Sequence, residues 1–209
     1  MNLQIQSAAA GELTQAALPR PESALIDASH PRRKDVESFI AQRFLDVHGA
    51  RINSFMPELL ALFDDQGRVL AAVGIRAADR QNLFLEYYLD NPVEQVIVER
   101  SGAVGERAGI VEIGNLASRD RRASRALFRI LAKWLHDKRF EWAVFTGCSS
   151  LHRMFATLGI RTITLGRALQ ARLPRDQQTW GGYYEDNPQV VAGRVNSGRA
   201  VFEHPGVAV

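Results

Sequence analysis

The chain has 209 residues, 46% of them hydrophobic, enough to bury a substantial core in one main domain. Its net charge of +3 is a mild, arginine-led excess that excludes the dense basic tract of a nucleic-acid-binding arm, and its single cysteine excludes an internal disulfide. No apolar run nears the roughly 20 residues that span a bilayer. The opening residues have neither a basic start nor a sustained apolar stretch, so a soluble, cytoplasmic protein is expected.

Residues 1–34 are rich in Ala, Gln, Ser and Pro and are expected to form a flexible arm, because little in them offsets the cost of ordering. From Asp35 to His48, the residues Val36, Phe39, Ile40, Phe44 and Val47 recur at helical spacing, and Gly49 follows. Two apolar runs, ELLALFDD and RVLAAVGIR, flank Asp65-Gln66-Gly67 and predict a β-hairpin. LFLEYYLD reads as an apolar strand carrying Glu86, and NPVEQVIVER as a helix with Pro92 in its first turn.

GIVEIGNLAS has the apolar character of a central, buried strand. After the arginine-rich RDRR comes a helix from Ala123 to about Lys138 that buries Leu127, Ile130, Leu131, Trp134 and Leu135. FEWAVFTG is a second buried strand, joined to the first by a right-handed βαβ crossover. A short helix from Ser150 to Leu158 stops at Gly159, and IRTITLG alternates like a further strand. From Arg172 onward no strong period is present. The domain is expected to cover residues 35–193, with 194–209 as a tail.

Several residues in this plan can carry chemistry. Arg119, Arg121 and Arg122 precede a helix, with Ser124 in its first turn, and free N–H groups plus cationic charge suit a phosphate or an acidic carrier surface. The competing reading is an ordinary solvated cluster. Glu112 and Glu86 sit in apolar surroundings that would raise a carboxylate pKa toward that of a useful base, unless each pairs with a buried arginine such as Arg76. Gly114-Asn115 in mid-strand fits a bulge that could expose an N–H to a carbonyl. Cys148 at a helix start is either a nucleophile or a small buried residue. Trp180, Tyr183 and Tyr184 in WGGYYEDN suit an acceptor pocket, a tunnel cover, a dimer contact or simple core packing. The five histidines are scattered and form no metal-ligand spacing.

The order helix, hairpin, helix, strand, helix, strand, short helix, strand resembles the GNAT superfamily of N-acetyltransferases. NLASRDRRAS lies where that superfamily has Q/R-x-x-G-x-G/A: Arg119 takes the first position, Arg122 replaces the first glycine and Ser124 the last small residue. Phe155 stands where many members place a tyrosine that protonates the departing thiolate. The resemblance implies an α/β fold with a mostly antiparallel mixed sheet, a parallel βαβ core and flanking helices.

A closer likeness is to the thermostable hemolysin family, carried by FMPELLAL, LFLEYYLDNPVEQ, IVEIGNLAS and WGGYYEDNPQVVAG. The chain also resembles acyl-homoserine-lactone synthases, which take acyl groups from acyl carrier protein and have neither the glycine loop nor the tyrosine. These resemblances imply N-acyl transfer from acyl carrier protein or coenzyme A to a small amine or amino acid, with no tightly bound cofactor. Glu112, Glu86 and Asn115 would be catalytic. Arg119, Arg121, Arg122 and Ser124 would hold the donor, and Trp180, Tyr183, Tyr184 and Cys148 would surround the acceptor. The alternatives are a membrane-active hemolysin, as the family name implies, and a non-catalytic acyl-binding module. Neither an export signal nor a long cationic amphipathic helix supports lysis.

Overall fold

The computed structural model describes residues 21–103, 105–157, 160–174 and 180–198. Its centre is a seven-stranded sheet in the order β1-β2-β3-β4-β5-β7-β6. The strands are β1 (Glu22–Ile26), β2 (Glu58–Phe63), β3 (Val69–Ala77), β4 (Ile110–Ser118), β5 (Trp142–Gly147), β6 (Thr162–Arg167) and β7 (Gln189–Arg194). β4 and β5 are parallel and every other neighbouring pair is antiparallel, which is the mixed sheet expected.

Strand alternation divides the core between two faces. Leu60, Leu62, Val73, Val111, Phe145 and Val191 point to the face covered by α3 (Arg121–Asp137) and α4 (Ser149–Thr157). Leu59, Ala61 and Ala72 point to the other face, under α1 (Arg33–His48), while Ile110, Val144 and Ala192 pack with α2 (Val93–Ser101) and the segment around Leu85.

α3 shows why the central unit was readable. Asp120 caps it by accepting a hydrogen bond from the Ala123 N–H at 2.8 Å, which contributes about 1 kcal/mol. Leu127, Phe128, Leu131 and Leu135 then bury one stripe, each adding about 2 kcal/mol of apolar burial. Among the described residues, no helix is long and apolar enough to cross a membrane.

Four expectations change. The predicted arm contains β1, an edge strand paired with β2 from Glu22↔Phe63 to Ile26↔Leu59, and α1 begins at Arg33, within the same stretch. Residues 1–20 of that arm lie outside the described residues, as do Leu158, Gly159 and residues 199–209 of the tail. The start of the tail is built into the fold, because Val195 is buried beside α3. LFLEYYLD is not a strand: Phe84–Tyr88 forms a 3-10 helix, since the Glu86 carboxylate bends back to accept from the Leu83 N–H. Finally, the aperiodic C-terminal stretch contains β7, inserted between β5 and β6.

Candidate functional site

The site begins where two parallel strands part. β4 and β5 pair from Ile110↔Trp142 to Ile113↔Phe145 and no further. Beyond that point β4 continues along β3, whereas Thr146 and Gly147 pair with β7. A bulge drives the separation: Gly74↔Gly114 is followed by Ala72↔Ala117, so Asn115 and Leu116 together oppose Val73. Asn115 adopts φ 47°. Its side-chain Oδ1 accepts from the Met56 N–H at 2.9 Å, fastening the loop before β2 over the bulge. Gly114 leaves room for the Met56 side chain, whose flexible Cε end would have to shift from a Cβ placed 2.5 Å away.

A cleft of about 910 Å³ opens at this split and reaches both faces of the sheet. That size falls within the usual range of small-molecule sites. On the α1 side Glu112 lines it, 3% exposed. Glu112 Oε1 accepts from the Leu85 N–H at 2.9 Å, and Oε2 accepts from the Phe84 N–H at 2.9 Å and from Arg76 Nη1 at 3.4 Å. Burial pushes its pKa up, opposed by Arg76 and the two backbone donors. A carboxylate has about four acceptor positions, so one on Oε1 has no donor among the described residues. The expected pairing with Arg76 and the expected burial are therefore both present.

Glu86 does not line the cleft. Its oxygens are taken up by Arg107, at 2.7 and 2.9 Å, and by the N–H groups of Leu83 and Val93. These donors hold its pKa below the usual carboxylate value despite burial. The expectation that it serves as a base gives way to a structural role: it joins the 3-10 helix to the start of α2.

The aromatic segment closes this side of the cleft. Residues Gly181–Asp186 form a 3-10 turn against the end of α1, and Gly181 (φ 53°) lies so near that a Cβ would meet His48 O at 2.3 Å. Trp180, Tyr183 and Tyr184 all line the cleft. The Tyr183 hydroxyl donates to Thr146 O at 3.2 Å and its ring meets His48 edge-on at 5.3 Å. Tyr184 and Tyr88 share a hydroxyl–hydroxyl contact of 2.5 Å. Burial pushes the pKa of all three tyrosines up and that of His48 down, so the phenols keep their protons and the imidazole is neutral at pH 7.

The α3/α4 side is different. Leu131, Leu135, Phe145, Phe155 and Ile160 form an apolar arm of the cleft, and Arg121, Arg125 and Arg153 stand along it. Phe155 packs against Phe145 and Phe128, with ring centroids 5.1 and 5.6 Å apart. Of the four residues expected to hold a donor, Arg121 and Ser124 line the cleft. The Ser124 and Ser118 hydroxyls share a 2.6 Å hydrogen bond. Arg119 is turned away, donating from Nε to Val69 O at 2.8 Å, and Arg122 is exposed outside the lining. Cys148 lines the cleft at the end of β5. Sequence reasoning missed Tyr88, His48 and Arg153, whose only visible sign was a place on apolar or amphipathic segments.

A family model described as thermostable hemolysin matches residues 26–199. The chain belongs to the thermostable hemolysin family. The search of curated proteins finds no match. Among solved structures, the acyl-homoserine-lactone synthase LasI is similar with a TM-score of 0.61 at 12% identity, covering 91% of this chain and 98% of its own. BjaI, a CoA-dependent acyl-homoserine lactone synthase solved with SAM and isopentyl-CoA, gives 0.58 at 11% identity, with 90% and 91% covered. FeeM, an N-acyl amino acid synthase from uncultured soil microbes, gives 0.55 at 13%, with 86% and 94% covered. This family member therefore has the fold of those synthases.

Proposed function

We propose that the protein is an N-acyltransferase that moves an acyl group from the phosphopantetheine thioester of acyl carrier protein or coenzyme A to a small amine or amino acid. The observation that carries this reading is the split between β4 and β5, where a bulge and a buried carboxylate meet in a cleft open to both faces of the sheet. The synthase structures that share the fold, two of them described as CoA-dependent, support the same class of donor.

The donor enters on the α3/α4 side. Arg121 and Arg125 attract its phosphate or the acidic carrier, Ser124 adds a hydroxyl, and the arm walled by Leu131, Phe145 and Phe155 takes the acyl chain. The thioester carbonyl is polarised by backbone N–H groups at Asn115–Leu116, where the bulge interrupts pairing with β3. The acceptor enters on the other side, bounded by Trp180, Tyr183, Tyr184 and Cys148. Glu112 takes a proton from the amine as its nitrogen bonds to the acyl carbon, and the carbon–sulfur bond breaks to release the thiolate. Phe155 has no proton to give. The Tyr88–Tyr184 hydroxyls hold theirs, since burial pushes their pKa values up, so the thiolate takes its proton from solvent. A cytoplasmic location follows from the donor, since acyl carrier protein and coenzyme A thioesters are found there.

The test is release of free thiol when full-length protein meets acyl-carrier and acyl-CoA thioesters of graded length with a pool of amines. Amine-dependent release is expected. None at any chain length overturns the reading.

A further inference from the structure

Gly193 of β7 is buried, yet the space in front of it is open. A Cβ built there would meet only Thr162 Cγ2 at 3.6 Å and Arg161 O at 3.8 Å, and no described atom of α3 or α4 lies within 4 Å of it. Protein interiors are packed as densely as organic crystals, so unfilled space over a buried glycine calls for an occupant. Gly193 pairs with Ala143 on β5 and with Thr162 on β6, and all three line the cleft. Ala143 is two residues from Phe145, on the same face and further from the split. Leu135 near the end of α3 and Val195 just after β7, each 4% exposed, line the cleft beyond that point. The apolar arm that begins at Phe145 and Phe155 therefore continues beneath α3 and past Gly193.

We propose that the donor carries a long, straight acyl chain, reaching to about dodecanoyl length, and that the missing side chain at Gly193 is what admits it. The inference rests on the acyl-transfer reading and narrows its donor. With the thioester at the split, the chain has only the arm to enter, because α3 lines the cleft from Arg121 at its start to Leu135 near its end. From Phe145 back to Glu141, whose carbonyl accepts from the Val195 N–H at 3.0 Å, the floor covers roughly 13 Å, close to an extended dodecanoyl chain. Other occupants fit less well. An acetyl group would leave the arm empty, and an empty apolar cavity destabilises the fold and holds no water. The amides of the pantetheine arm would lie there without hydrogen-bond partners.

The experiment is calorimetric titration of full-length protein with the sodium salts of butyric, octanoic and dodecanoic acid, below the concentrations at which they form micelles. Each buried methylene adds roughly fourfold to affinity, so dodecanoate should bind at least about tenfold more tightly than octanoate, and octanoate than butyrate. Gly193→Leu sends its side chain into the arm from a backbone without positive φ, and should remove most of the gain from octanoate to dodecanoate at an unchanged melting temperature. Gly193→Val, smaller and favoured in strands, should give a partial loss, and it carries the test if leucine lowers the melting temperature. Equal affinity for the three acids, no binding of any, or a full dodecanoate preference in both variants would overturn the proposal. Turnover measurements separate it from its parent reading. Thiol release as fast from acetyl as from dodecanoyl thioesters rejects the long-chain arm and leaves acyl transfer standing. Length-dependent binding that Gly193→Leu abolishes, without thiol release from any thioester, rejects acyl transfer and leaves the arm standing as a site for long acyl chains.

Discussion

The two sides of the cleft are built by different forces. Below α3 and α4 the wall is Leu131, Leu135, Phe145 and Phe155, held by packing, with exposed cationic side chains at its edge. On the α1 side, Glu112, Arg76, Tyr88, Tyr183 and Tyr184 are held by hydrogen bonds of specified length to the backbone and to one another. A packed wall accommodates changes of volume, whereas a hydrogen-bonded wall fails when one partner is removed. Under the proposed reaction, the first suits a donor whose chain varies in length, and the second a single acceptor held in one orientation.

That contrast can be broken by experiment. The largest effect should come from Glu112→Gln, which is expected to lower turnover by about 10²–10⁴-fold while donor affinity, measured by titration with acyl-CoA, stays within about twofold. A comparable loss of donor binding would show that the two sides are not separate. The same residue fixes a pH dependence. Burial raises its pKa above the usual 4.5, and only the ionised form accepts a proton, so kcat/KM should rise with pH along an acid limb displaced above that value. The limb should vanish in Glu112→Gln.

Gly181→Val comes next: positive φ and a backbone clash with His48 should cost about 2 kcal/mol or more, read as a lower melting temperature. Paired Arg121→Glu and Arg125→Glu changes should raise KM for an acyl carrier about tenfold at low salt, an effect that shrinks as salt screens the surface, and should leave acceptor KM unchanged. The smallest effect is Tyr184→Phe, which removes one hydroxyl of the Tyr88 pair and should lower stability in urea by about 1 kcal/mol.

The sequence revealed the elements that make their own signal. α3 carries a cap and an apolar stripe, and β4 and β5 are continuous apolar runs, so the unit that holds the split was legible, including Glu112 and the bulge at Gly114-Asn115. What was hidden depends on partners distant in the chain. ESALI becomes a strand because β2 offers it an edge, and QVVAGR because β5 and β6 flank it. Glu86 looked like Glu112 in sequence, each an acid among apolar neighbours. Their fates differ because Arg107, 21 residues away, claims one carboxylate, while backbone donors and a single long contact to Arg76 leave the other facing the cleft.

The placement of β7 has a consequence for synthesis. Residues Gln189–Arg194 leave the ribosome after the other six strands, yet they occupy the slot between β5 and β6, and among the described residues β6 pairs with no other strand. A nascent chain can assemble β1 to β4 and the capped α3 early, from contacts close in sequence. It cannot brace Thr146 and Gly147, the β5 flank of the split, until Val190 and Gln189 arrive. Truncation just before β7 should therefore leave a protein that keeps its cationic helix and β1 to β5 but has lost β7 and the strand that holds β6 in the sheet.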